Sequence, residues 1–230
     1  MSPVSLLLSA KAKARFDAFS DGVFAIVITL LVLELHVPAG RQHLASTLGE
    51  EWPRYLGYFV SFAFIGGIWV AHSTISHFIE AVDATLMRLN LVLLLFVSLL
   101  PFTTGILATH LFASVLPIDR VTEPLPGFGP ERLAVVVFGA NLTLAALMTF
   151  LVVRHVDKTD ELAPDDRVEE ELRGFTRGRG TAVVLQALAT VVGVFLPVVA
   201  VVVYLGLAIF FFVDPLWIER VRRRVRNQST

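Results

Sequence analysis

The chain has 230 residues, 55% of them hydrophobic and 17% charged, with a formal net charge of −1 and no cysteine. A soluble domain is about 45–50% apolar and ~25% charged, so this composition describes an integral membrane protein. The near-neutral balance predicts no nucleic-acid partner, and the lack of cysteine excludes disulfides, thiolate metal sites and thiol nucleophiles.

Residues 1–14 read as a short cytoplasmic lead. Their apolar stretch, 4–8, is brief and its cations follow it, the reverse of a signal peptide. A membrane span needs ~20 mostly apolar residues. The first runs over 19–37 and ends at Pro38. The second covers 55–71, with Trp52, Tyr55 and Tyr58 at one end and Trp69 at the other, as aromatic residues favour membrane interfaces. The third covers 89–112 and the fourth 133–153.

Residues 181–213 are too long for one span and tight for two, with Pro197 near the middle. Charge decides. Arg154, Lys158, Arg167, Arg173, Arg177 and Arg179 precede this stretch, and Arg220, Arg222, Arg223, Arg224 and Arg226 follow it. Cytoplasmic segments collect Lys and Arg. Both basic segments lie inside only if the chain crosses twice between them, so spans 181–195 and 198–213 form a tight hairpin. Six spans with both termini inside leave only Arg41, Arg54, Arg120 and Arg132 outside. The expected fold is a single all-α membrane domain of six transmembrane helices, with residues 154–180 as a cytoplasmic loop. That loop mixes charges of both signs and reads as a solvated linker with a short charged helix. The alternative for it is a cation-collecting vestibule. The proline-rich stretch 117–130 reads as an outer connector.

The first span carries the most information. Successive helical residues are ~100° apart, so Phe19, Ile26, Leu30, Leu33 and Val37 form one stripe. Asp21 lies roughly 120–180° from Ile26, Leu30 and Leu33. An aspartate inside a span costs about 2.5–3.5 kcal/mol unless shielded or paired, so Asp21 should face protein. Arg15 sits about 120° around the same helix and should bond a neighbouring span instead of Asp21. Alternatively, Ser20 or Asp21 caps a helix that starts there. The aliphatic stripe has three possible destinations: lipid, a helix–helix core, or a symmetry axis where several copies stack aliphatic rings that gate by dewetting.

The block Arg15-x-x-x-Phe19-Ser20-Asp21-Gly22-Val23-Phe24-Ala25-Ile26, continuing Ile28-Thr29-Leu30-Leu31-Val32-Leu33-Glu34-Leu35, resembles the signature of the TMEM175 potassium-channel family. A second block is similar to the same family: Trp69-x-x-His72, then Asp83, Leu89-Asn90-Leu91 and Pro101-Phe102. The resemblance implies a six-span subunit that assembles as a homotetramer around its first helix. By that likeness Ile26, Leu30 and Leu33 line the pore, with Ile26 and Leu30 as the constriction. Arg15, Phe19, Ser20 and Asp21 fasten the pore helix from behind. Trp69, His72, Asp83 and Asn90 form an interhelical network. The implied protein is a plasma-membrane channel that conducts potassium passively, with itself and the bilayer as partners and no cofactor. Thr29, within about 60° of the stripe, either adds a polar ring to the pore or bonds its own backbone. The departures are Ser73 after His72, Thr74-Ile75-Ser76-His77 behind it, and Arg88 where an aromatic residue is common.

Other chemistry has less support. His72, His77, Glu80 and Asp83 have a spacing compatible with metal ligation or with interfacial hydrogen bonding. No GxSxG, HExxH or P-loop pattern is present, so the chain is not expected to be an enzyme. Matching broken spans in two halves, as in transporters, are missing, and so is a TVGYG filter. A non-conducting scaffold or an unrecognised membrane enzyme is the alternative class, in which the stripe is only packing.

Overall fold

A computed structural model describes residues 3–35, 49, 52–115, 129–159, 162 and 166–213. Among the described residues seven α-helices follow in order: α1 (Pro3–Leu30), α2 (Trp52–Phe78), α3 (Ala84–Ser98), α4 (Leu100–Val115), α5 (Pro130–Asp157), α6 (Asp166–Phe195) and α7 (Pro197–Val213). A 3₁₀ turn, Leu31–Glu34, extends α1. Arg41, the connector up to residue 128 and the basic cluster Arg220–Arg226 lie outside the described residues.

Among the described residues five stretches are long and apolar enough to cross a membrane: Lys11–Glu34, Arg54–Phe78, Ala84–His110, Pro130–Asp157 and Leu172–Phe195. Pro197–Phe210 is a shorter apolar helix. The 17 residues of α7 extend about 26 Å at 1.5 Å per residue, close to the ~30 Å hydrocarbon core.

Helix ends follow local chemistry. Asp83 caps α3, its Oδ1 accepting the Leu86 N–H at 2.6 Å. Pro130 opens α5 and Pro197 opens α7, positions where the missing N–H is of no consequence. The span expected over 89–112 is two helices, α3 and α4, joined through Leu99. The Leu99 N–H still reaches Leu95 O at 3.2 Å and the Thr103 N–H reaches Leu99 O at 3.0 Å. The break falls just ahead of Pro101, which has no N–H to donate. α1 starts well before the apolar run and passes straight through Ser20 and Asp21, so neither residue caps it. α6 likewise begins inside the charged stretch assigned to a loop, where the run Arg167–Arg173 holds neither glycine nor proline.

The chain reverses at Leu196. Thr190 Oγ1 and the Tyr204 hydroxyl are 2.8 Å apart, whereas residues fourteen positions apart in one straight helix would be separated by about 21 Å. α6 and α7 are therefore antiparallel neighbours. α5 is the hub, packing on α6, α4 and α3; α7 lies against α2 and α6, and α1 rests on α3 and α2. Two apolar cores result. The larger is built on Phe64, Phe138, Leu142 and Tyr204 and includes Val27 and Leu31 of α1. The smaller joins Phe16 of α1 to Ile75, Leu86, Val153, Leu162 and Phe175.

Gly139 on α5 lets this hub close. A Cβ there would run into the Tyr204 hydroxyl and the Thr190 side chain. Gly139→Ala should therefore lower stability by about 1–3 kcal/mol. Gly206→Ala, where a Cβ meets nothing within 4 Å, should not. Thermal unfolding of the purified, detergent-solubilised protein distinguishes them.

Candidate functional site

The functional signal of the sequence lies on α1, and the structure divides this helix into three faces. Phe16, Ser20, Phe24, Val27 and Leu31 form the buried face. Their spacing of three and four is that of one side of a helix. On one flank, Ile26, Leu30 and Leu33 are 60%, 41% and 67% exposed, whereas their chain neighbours Val27 and Leu31 are 2% and 0% exposed. Phe19 is exposed on the same flank. Asp21 lies on the opposite flank. The aliphatic stripe and the carboxylate thus occupy separate sides of the core-facing strip.

A directed run of hydrogen bonds holds the buried face. His72 of α2 inserts its ring between Phe16 and Phe24, with both centroid distances 5.7 Å. Its Nε2 lies 2.9 Å from Asn90 Oδ1. Asn90 Nδ2 donates to Ser20 Oγ at 2.8 Å, and Ser20 Oγ donates to the Phe16 carbonyl at 2.9 Å. Because the Asn90 amide nitrogen serves Ser20, its oxygen must accept, so His72 Nε2 carries the proton. Ser20, His72 and Asn90 are all buried, so each polar group needs its partner.

Asp21 is bonded by the neighbouring span: Trp69 Nε1 donates to its Oδ1 at 2.9 Å. One helical turn earlier, Asp17 accepts from Ser76 Oγ at 2.5 Å and from Lys13 Nζ at 2.9 Å. Between α1 and α2 a polar cleft of about 210 Å³ opens, lined by Lys13, Asp17, Asp21, His72, Ser73, Ser76 and His77.

Asp83 stands apart from this group. Its Oδ2 lies 2.9 Å from His155 Nε2 on α5 while its Oδ1 caps α3. Nearby, the Glu80 N–H donates to Leu162 O at 2.8 Å. Partial burial pushes the Asp83 carboxyl pKa up, but the Leu86 N–H and His155 together outweigh it and hold the pKa below the ordinary value. The metal-like spacing does not converge. His72 bonds Asn90, His77 Nδ1 faces the Ser73 carbonyl at 2.5 Å, and Asp83 bonds His155. Among the described residues no group of three or more His, Cys, Asp and Glu side chains is placed to hold a metal.

The structure thus gathers Ser20, Asp21, Trp69, His72 and Asn90, all singled out from sequence. It leaves Phe19 exposed, and Arg15 is exposed with no hydrogen bond or ion pair among the described residues. Thr29 Oγ1 donates to Ile26 O at 2.7 Å. Phe16, Asp17, Ser76 and His155 were not singled out. The i, i+4, i+8 order of Phe16, Ser20 and Phe24 was a readable signal for the first. Lys13 and Asp17, four apart on α1, were a readable pair as well; Ser76 and His155 carry no such signal, because their partners lie on other helices.

Two outcomes follow. Asn90→Leu removes both bonds and leaves His72 Nε2 and Ser20 without them, which should cost about 1–3 kcal/mol per orphaned group. It should be measured as earlier thermal unfolding in detergent. Asp83 supplies stability that is complete above the ordinary aspartate pKa of ~3.9 and is lost as pH falls through its lower folded value. An Asp83→Ala variant should therefore be less stable than the parent at neutral pH, and the gap should narrow below pH ~4.

Comparisons with known proteins place this geometry in context. Residues 15–101 match the family model described as the endosomal/lysosomal potassium channel TMEM175. A potassium channel of Streptomyces collinus is 37% identical over 167 residues, spanning 72% of this chain and 74% of the relative. A potassium channel of Chamaesiphon minutus is 45% identical over 104 residues, 42% of this chain and 50% of the relative. Among solved structures, the crystal structure of a lysosomal potassium-selective channel TMEM175 homologue from Chamaesiphon minutus superposes with a TM-score of 0.73. It has 30% identity and is matched over 87% of this chain and 96% of that one.

Proposed function

This chain belongs to the TMEM175 family, and from that premise we propose that it is a potassium channel whose pore is lined by α1. The observation that carries the reading is the division of α1 into a gripped face and a bare aliphatic flank. Lipid would accept Ile26, Leu30 and Leu33 equally well, but it would not require a rigid rotational setting. A pore does, because a small rotation of α1 replaces one residue at the axis with its neighbour.

In this reading four copies assemble with α1 at the centre. Ile26, Leu30 and Leu33 then stack as aliphatic rings, and the constriction closes by excluding water. Ser20 and Asp21 fasten the pore helix to α2 and α3 through Asn90, His72 and Trp69. Arg15 and Phe19, bare in one subunit, are available to a neighbouring copy. Thr29 spends its hydroxyl on its own backbone and keeps its methyl for the lumen side. Both termini and the basic stretch 154–180 face the cytoplasm across the plasma membrane, following the Lys and Arg distribution.

Reconstituted protein should carry a potassium flux down its gradient above that of empty liposomes. No excess flux from an intact oligomer would refute the channel. Ile26→Asn or Leu30→Asn should raise basal flux severalfold, because an amide ring supplies water with hydrogen-bond partners. Val27→Asn should instead lower stability, since Val27 is buried against other helices. Equal flux from the Ile26 and Val27 variants at matched protein amounts would rule out this face as the pore lining.

A further inference from the structure

Between α2, α5 and α6 lies a small, partly open space of about 20 Å³. Phe64 and Gly67 of α2, Ala146 and Thr149 of α5, and Arg179 and Gln186 of α6 contribute to its wall. Gln186 is only 4% exposed. Its Oε1 is buried and receives no hydrogen bond from the described residues. A buried amide oxygen without a donor is costly in any protein, and more so in a membrane, where bulk water cannot reach it. The α6 helix places this oxygen two turns from Arg179, so both reach the same space.

The dimensions select the ligand. One water needs about 10–15 Å³ of such space, so there is room for one molecule and not for a phosphate or a lipid headgroup. The chemistry selects it too. The Thr149 hydroxyl already donates, to the Ala145 carbonyl at 2.9 Å, which leaves its oxygen free to accept. Arg179 is a donor and never an acceptor. An occupant must therefore donate twice, to Gln186 Oε1 and Thr149 Oγ1, and accept once, from the Arg179 guanidinium. Water does this, and three hydrogen bonds is the usual number for a buried water. We propose that Gln186, Thr149 and Arg179 form a site for one structural water that joins α5 to α6 beside α2. The site is independent of the pore reading. Gly67 and Ile68 at its wall immediately precede Trp69, so the water adjoins the part of α2 that bonds α1.

The test is a cavity-filling substitution read in two backgrounds. Ala146→Val should crowd the space and expel the water, orphaning Gln186 Oε1. In the parent it should lower the thermal midpoint of the solubilised protein by about 2–8 °C. In a Gln186→Leu background the orphaned amide oxygen is gone and the Thr149 hydroxyl keeps its bond to the Ala145 carbonyl, so the same change should be neutral or raise the midpoint. That reversal of sign is the expected result. A rise in both backgrounds would mean the space is dry and would overturn the proposal. An equal fall in both would mean that Ala146→Val acts by overpacking alone, and would also overturn it. A structure of the parent in lipid, at a resolution that displays ordered waters, gives a direct reading. Density within hydrogen-bond distance of Gln186 Oε1 supports the site, and none there refutes it.

Discussion

The setting of α1 depends on one buried chain of hydrogen bonds: His72 to Asn90, Asn90 to Ser20, Ser20 to its own backbone. Three helices meet in it. The ring of His72 sits between Phe16 and Phe24 while its Nε2 engages Asn90, so the apolar and polar parts of the contact demand the same register. A slide of α1 along its axis would pull the phenyl rings off the imidazole. A rotation would carry Ser20 away from Asn90. In a bilayer the packing of α1 gains little from apolar burial, since lipid is as apolar as a helix face. Directional contacts of this kind therefore set its position. Once Ser20 is fixed inward, Val27 and Leu31 must enter the core, and Ile26, Leu30 and Leu33 must remain outside it.

The same accounting organises the rest of the bundle. Hydroxyl side chains mostly satisfy themselves within their own helix. Thr74, Thr104, Thr143, Thr149 and Thr190 each donate to the carbonyl four residues earlier, at 2.7–2.9 Å. Amides and imidazoles have more bonding groups than one helix can satisfy, so they reach across. Asn90 links α1, α2 and α3. Asn141 on α5 donates to Phe96 O of α3 and lies 3.4 Å from Thr103 Oγ1 of α4. It fastens both helices to the hub. Tyr204 on α7 meets Thr190 on α6 across the hairpin.

The family match covers residues 15–101, which are α1 from Arg15 onward, α2, α3 and the start of α4. All the contacts that orient α1 through Ser20 and Asp21 lie within it. The helices beyond it, α5 to α7, build the support. The likeness to a solved relative, over 87% of this chain, extends through these helices as well. The polar contacts that orient α1 lie in the matched part, whereas the later helices add contacts of their own through Asn141, His155 and the Thr190–Tyr204 pair, with a small residue, Gly139, where helices close.

The membrane class, the hairpin at Leu196 and the unusual character of α1 were legible because each rests on local pattern. Apolar runs set span length, Pro197 between two basic segments demands a reversal, and a period near 3.6 separates Asp21 from the stripe. Periodicity also grouped Ile26, Leu30 and Leu33 correctly as one face. It could not say whether that face or the Val27–Leu31 face is buried, because both are equally aliphatic and hydrophobicity does not orient a helix among lipid and other helices. Helices extend beyond the apolar runs that mark the spans, as before Ser20 in α1 and over 166–180 in α6. Hydropathy marks the bilayer, whereas the backbone hydrogen bonds that define a helix are indifferent to it. The pairings Ser20–Asn90, Asp17–Ser76 and Asp83–His155 join positions tens of residues apart. Only the packed bundle decides them, because a hydrogen bond is fixed by distance and direction in space, and neither is encoded in the identity of one partner alone.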